Sequence, residues 1–318
     1  MEINRTEYVG KMRAWFGKLR RRLFKKREKA DRNILNHRSK AERVVFPIVM
    51  LILIIHCLTL IVPVAWMFVS AFKMPLEFSG GDPFAFPVKW IARNFIDAFT
   101  LLNVGDTTFF GMVFNSVWYT LIRSVLGAFV PAVTGYVMSK YRFPGHGVIF
   151  TTAIVAMTLP IVGAGASYMK VIATLGLYDN ILYVVVTSLG GFGGSFLVYY
   201  GFFKSVSWNY AEAAMIDGAN PFTIFFRVML PHAVPLILTY FITGAIGNWN
   251  EYNDMILYIP SYPTLASGLF EYQETAVRMA NYPVYFAGLL ISMIPTIVLF
   301  ALCSDKIMTS LSMGGLKG

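Results

Sequence analysis

The sequence predicts an all-α membrane protein with six transmembrane helices, and three observations carry that prediction. The 318 residues are 56% hydrophobic and 16% aromatic against 14% charged, with a mean hydropathy of +0.59, which is more apolar than a soluble domain. Weakly charged runs recur along the chain at the length of roughly 20 residues that a helix needs to cross a hydrocarbon core. The charge is also lopsided. Lys plus Arg outnumber Asp plus Glu by 27 to 17, and the first 43 residues hold 15 basic and 5 acidic side chains, leaving 12 of each elsewhere.

Residues 1–43 form a basic segment expected on the cytoplasmic side. Arg20-Arg21-Arg22 and Lys25-Lys26-Arg27 lie among Tyr8, Met12, Trp15, Phe16, Leu19 and Leu23 at helical spacing. An amphipathic helix on an anionic leaflet and a tail that only fixes orientation both satisfy that pattern. The charged region is too long for a cleaved signal peptide, and the first apolar run starts only at Val44. Charge alone does not argue for nucleic acid, and none is expected as a partner.

Residues 44–72 make the first span, with Pro47 and Pro63 inside it. Residues 73–110 mix both charges with Pro75, Gly80, Gly81, Pro83 and Pro87, which predicts a structured extracytoplasmic loop. The second span covers about 111–139 and ends at the basic connector Lys140 to His146. The third covers about 147–171, past Pro160, Gly163 and Gly165. The fourth covers 181–203, where Gly190, Gly191, Gly193 and Gly194 allow close helix contacts. The fifth covers 233 to about 257, an external loop follows to about 281, and the sixth covers 284–303. Residues 306–318 are the tail. An even number of spans and the placement of basic residues put both termini, the 140–146 turn and the loop after the fourth span on the cytoplasmic side.

That last loop, about 204–233, is the best-punctuated stretch of the chain. Asn209 is a suitable N-cap with Glu212 at the third helical position, and Gly218 suits a left-handed step at the helix end. Asn220 and Pro221 open a second helix, bounded at its far end by Pro231 and Pro235. Two short helices meeting at an angle are expected. Ala211, Ala214 or Met215, and Gly218 share one face, where another backbone can approach closely.

Charged groups inside the spans need partners or water. Arg123 sits near the middle of the second span, where a charge costs at least ~2.5 kcal/mol on insertion scales. The fifth span carries Asn248-Trp249-Asn250-Glu251-Tyr252-Asn253-Asp254, aromatic surface beside amides and carboxylates. A sugar contact, a packing cluster pairing Glu251 with Arg123, and a simple interfacial belt all satisfy that composition. Cys57 and Cys303 fall in apolar runs, and His37, His56, His146 and His232 lie too far apart for a metal site. These six side chains read as structural. With no P-loop and no nucleophile, metal or paired-acid constellation, the chain is expected to bind no cofactor and catalyse no reaction.

Glu212-Ala213-Ala214, Asp217-Gly218-Ala219 and Leu230-Pro231 stand at the spacing of the EAA loop of ABC importer permeases, which this segment resembles. From about Thr107 onward, Asn115-Ser116, Gly135-Tyr136, Tyr141 to Gly145, Trp249-Asn250-Glu251 and the terminal Gly314-Gly315-Leu316-Lys317-Gly318 are similar to the carbohydrate branch, the maltose-type permeases. The resemblance implies a type-1 importer core over 107–305 and a coupling helix docked on an ATPase. It further implies a second homologous permease, a cytoplasmic ATPase dimer that binds ATP and Mg2+, an extracytoplasmic solute-binding protein, and a sugar or oligosaccharide carried across the bilayer. Arg123, Trp249, Asn250 and Glu251 are the expected path or gate residues. An ABC permease for a non-sugar solute is the alternative. A self-contained secondary transporter, which needs coupling carboxylates or repeated broken helices, fits less well.

Overall fold

The computed structural model describes residues 40–159 and 163–315, with side chains over 44–159 and 163–304. The basic segment up to residue 39 and the last three residues of the Gly-Gly-Leu-Lys-Gly terminus therefore lie outside the described residues, and so does Pro160. The chain divides into a unit ending at Trp66 and a second starting at Met67.

The first unit is most of α1, Lys40–Ser70, a helix of 31 residues that carries Pro47 and Pro63 internally. From Val44 onward it carries no charged residue, and none of its hydrophobic window is buried. A helix with no polar face has lipid or another apolar helix as its stable surroundings.

The second unit begins with α2, Pro75–Gly80, and α3, Arg93–Leu101, which give the expected loop its structure. Lys73 is fully buried there and donates to the carbonyls of Asp82 (3.2 Å) and Pro83 (2.9 Å). Asn94 ties the loop back by donating to the carbonyls of Ala71 and Lys73, both at 2.8 Å.

The organising element is α4, Phe109–Lys140, whose 32 residues rise about 48 Å. Helix α11, Leu230–Trp249, makes the most extensive contact with it, followed by α8, Gly194–Ser205. Three apolar clusters follow one another along α4. Phe109 and Met112 pack with α3, α13 (Leu265–Arg278) and α14 (Tyr282–Gly315). Tyr119 packs with α6 (Gly165–Thr174), α7 (Leu182–Ser188) and α12 (Asn253–Tyr258). Ala132 and Tyr136 pack with α8, α9 (Asn209–Ile216) and the turn that follows it.

Among the described residues four helices are long and apolar enough to cross a membrane, at 44–70, 109–140, 221–249 and 282–304. The expected third and fourth spans are not continuous. The third is split into α5, His146–Thr158, and α6, with Gly163 at φ +79° between them. The fourth is split into α7 and α8, which contain 7 and 12 residues. The glycines at 190–193 thus interrupt a helix rather than line one, although Gly191 does lie against the Thr134 side chain. None of these four pieces crosses a hydrocarbon core alone.

The capping pattern needs one correction. Asn209 does not cap α9; its N–H donates to Ser207 Oγ (3.3 Å), and the helix makes no side-chain cap bond. Asn220 does cap the next helix, α10 (Pro221–Thr223), by accepting from the Thr223 N–H at 2.8 Å. Pro231 and Pro235 do not end that helix. It continues through a π-helical turn, Ile224–Met229, into α11, so the fifth span is one rod from Pro221 to Trp249. The wider turn falls where Pro231, which has no N–H, would crowd the Arg227 carbonyl in an α-helix. The loop expected after α11 also contains more structure than its composition announces. Thr264 and Ser267 form a capping box that starts α13.

Candidate functional site: a polar cavity and a bent surface segment

The cavity is built from α4 and α11, which pack on each other, together with the end of α7. Tyr119 and Arg123 are one turn apart on α4, and Ser124 and Gly127 continue its inner surface. Arg123 Nη1 donates to Tyr119 Oη (2.8 Å) and pairs with the Asp254 carboxylate at the start of α12. The guanidinium also lies 5.4 Å from the Tyr119 ring centroid. Tyr119 Oη donates in turn to Asp254 (3.4 Å), so cation, phenol and carboxylate form one triad. From α11, Asn248 Nδ2 donates to Ser124 Oγ at 3.0 Å.

Beside this triad lies a cavity of about 420 Å³ lined by Arg123, Ser124, Gly127, Thr187, Ser188, Gly190, Tyr240, Thr243, Gly244 and Asn248. That volume falls in the range of about 300–1,000 Å³ of small-molecule sites. The glycines give it room, and Gly190, in the break after α7, is one of them; interrupted backbone is tolerated inside a membrane only where a cavity or protein receives it. A larger groove of about 640 Å³ runs along α5, between Val148 and Met157, and reaches Phe192. Its lining is apolar except for Thr152, so it offers a polar solute few partners.

The structure brings together only one of the expected path residues with the cavity, Arg123. Glu251 is not its partner: Glu251 Oε1 accepts the N–H groups of Asn253 (2.8 Å) and Asp254 (3.3 Å). Trp249 Nε1 donates to the Ser292 carbonyl (3.0 Å), and its ring packs beside the first cluster. Asn250 Nδ2 returns to the Ile246 carbonyl (2.8 Å). Asn248 and Asp254 belong to the run that the sequence singled out but not to its expected path residues, and Tyr119 and Ser124 are the residues that sequence reasoning missed. Two signals pointed to them: a mid-span Arg needs a carboxylate, and Asp254 was the other acid in the run, while Ser116, Thr120 and Ser124 mark a polar stripe on α4.

The bent segment occupies the other end of α4. Gly218 has φ +81°, the left-handed step expected at the end of α9, which lets the chain turn into α10. Ala211 is fully buried, and Ala214 and Ala219 pack beside it against the cluster of Tyr136, Tyr199, Phe203 and Ile224. The bundle therefore covers the small-residue face only at Ala211 and, in part, Ala214, while Gly218 at its end is exposed with open space around it. Turned outward instead are Glu212, Ala213 and Asp217, with Met215 (44% exposed), Ile216 (87%) and Phe222 (77%) among them. Leu230 and Pro231 sit at the join between the π turn and α11. Nearby, Lys140 Nζ donates to the Val206 carbonyl (2.5 Å), and His146 is buried against the Met138 carbonyl (2.8 Å), a structural role as expected. No cluster of three or more metal-ligating side chains occurs among the described residues.

Residues 132–309 match the family model described as "Binding-protein-dependent transport system inner membrane component". A probable ABC transporter permease of Bacillus subtilis (strain 168) is 29% identical, over 84% of this chain and 87% of that protein. A diacetylchitobiose uptake system permease of Streptomyces coelicolor is 27% identical over 83% and 86%. An arabinooligosaccharides transport system permease of Bacillus subtilis is 27% identical over 70% and 79%. Among solved structures, a bacterial ABC transporter involved in the import of the acidic polysaccharide alginate aligns with a TM-score of 0.68 at 22% identity, covering 85% of this chain and 98% of that one. That likeness is one of fold. A helical bundle with four membrane-length helices among the described residues, an open cleft lined by polar side chains and a family match over more than half its length is a membrane transport permease, and the chain belongs to the binding-protein-dependent transport system inner membrane component family.

Proposed function

We propose that this chain is one of two permease subunits of an ATP-driven importer of sugars or oligosaccharides, crossing the membrane six times with both termini in the cytoplasm. The broken pairs α5–α6 and α7–α8 supply the third and fourth crossings. A second, homologous permease covers their interrupted backbone, because lipid cannot satisfy it. An extracytoplasmic solute-binding protein delivers the substrate. A cytoplasmic ATPase dimer binds ATP and Mg2+ and does the hydrolysis, and this chain hydrolyses nothing. The oligosaccharide uptake named for several relatives supports the substrate class. The observation that carries the reading is the bent segment. Its inner face is fixed to the bundle by Ala211, and it exposes Met215, Ile216 and Phe222 beside Glu212 and Asp217. Apolar side chains of that size displayed on a polar turn have a protein partner as their stable environment.

In this reading the segment is the coupling helix. Closure of the ATPase dimer pushes α9, and the continuous rod from Pro221 to Trp249 carries the displacement to the cavity. The test is a reconstituted complex in which ATP hydrolysis is stimulated by loaded binding protein. Gly218→Asp places a side chain at φ +81°, and Ile216→Glu charges the exposed face. Both variants should reach the membrane at normal abundance and lose at least tenfold in stimulated hydrolysis and uptake. Normal stimulation in both would remove the coupling assignment.

A further inference from the structure

The cavity has a property that its volume does not convey: its charge is cancelled. Arg123 is the one charged residue among those lining it, and its guanidinium is paired with Asp254 and hydrogen-bonded to Tyr119. Asp254 is not among the residues that line the space. The other carboxylate of that turn, Glu251, is held by the backbone N–H groups of Asn253 and Asp254. The remaining polar lining consists of hydroxyls and one amide: Ser124, Thr187, Ser188, Tyr240, Thr243 and Asn248. Several of these hydroxyls already donate within their own helix, Thr187 to the Tyr183 carbonyl (2.7 Å), Ser188 to Val184 (2.5 Å) and Thr243 to Thr239 (2.9 Å). They therefore present acceptor lone pairs to the cavity, while Arg123 and Asn248 supply donors.

We propose that this cavity selects an uncharged, hydroxyl-rich solute and discriminates against acidic sugars, with the Arg123–Asp254 pair as the specificity determinant. The inference rests on the permease reading and narrows its substrate class. A carboxylate entering the cavity gives up its water and meets no free positive charge, whereas a neutral sugar ring exchanges water for hydroxyl, amide and guanidinium partners of both kinds. Hydroxyls donate to the acceptors on α7 and α11 and accept from Arg123 and Asn248. Removing one member of the pair leaves the other uncompensated at low dielectric, where it attracts the opposite charge strongly. The two single substitutions must therefore act in opposite directions. A purely structural ion pair predicts loss of fold or uptake without any such change of sign.

The full-length chain is purified with its partner subunits in lipid nanodiscs, and binding of radiolabelled glucose, glucuronate and protonated glucosamine is measured. Wild type should favour glucose over both charged analogues. Asp254→Asn should raise the glucuronate-to-glucose ratio at least tenfold, Arg123→Gln should raise the glucosamine-to-glucose ratio at least tenfold, and the double variant should return both ratios to those of wild type. Either single variant suffices if the other does not assemble, and the wild-type preference needs neither. A wild type that prefers glucuronate, ratios within twofold of wild type in the single variants, or no sugar bound by any form overturns the proposal. The importer reading fails separately, if uptake of neutral oligosaccharide survives deletion of the chain.

Discussion

Gly135 and Asn220 are cases where one side chain decides a local outcome. A Cβ on Gly135 would stand 2.7 Å from Tyr199 Cβ and 2.9 Å from the Tyr200 backbone N, so α4 and α8 approach closely only because that atom is missing. Backbone cannot swing aside as a flexible side chain can. Gly135→Val should therefore lower the thermal midpoint of the purified protein by several degrees, in keeping with overpacking costs of about 1–3 kcal/mol. An unchanged midpoint would show that the helices part without penalty. Asn220→Ala removes the cap that holds the Thr223 N–H and should cost about 1 kcal/mol, read as earlier local unfolding of the bent segment in hydrogen exchange.

At the scale of elements, the fifth span is the informative one. Prolines at 231 and 235 look like terminators, yet the helix runs through both, and at the first of them the π turn at 224–229 moves the carbonyl that would meet the ring. The rod therefore changes from π to α geometry between the bent segment and the cavity while staying continuous. Pro231→Ala restores a donor and permits regular α geometry. Amide protection over 225–231 should rise, and uptake should fall while the protein remains in the membrane. Unaltered exchange there would mean that Pro231 is not the cause of the turn. Helix α13 carries the opposite lesson. Leu265, Leu269, Tyr272 and Ala276 lie on its buried face, a helical period that was present in the sequence behind Thr264 and obscured by polar neighbours.

For the molecule as a whole, the decisive question is which side each end of α4 faces. The bent segment and the 140–146 turn share one end of α4, and the α2–α3 region shares the other with α13. Single cysteines introduced at Ile216 and at Phe84, with Cys57 and Cys303 replaced, should label from opposite sides of sealed vesicles, Ile216 from the cytoplasmic side. Labelling of both from one side would contradict the six-span arrangement.

The sequence by itself determined the class of the protein, the long spans at 44–72 and 111–139, the left-handed turn at Gly218 and the cap at Asn220, because each depends on residues near one another in the chain. Length, hydropathy and backbone preference are local quantities. Only the tertiary structure decided that Arg123 pairs with Asp254 rather than Glu251, that Trp249 bonds to the last helix, and that Ala211 of α9 turns inward. Those outcomes depend on which helix lies across the bundle and at what height. Spacing along one chain does not encode that register, since two carboxylates three residues apart are equally near in sequence and only one reaches the guanidinium.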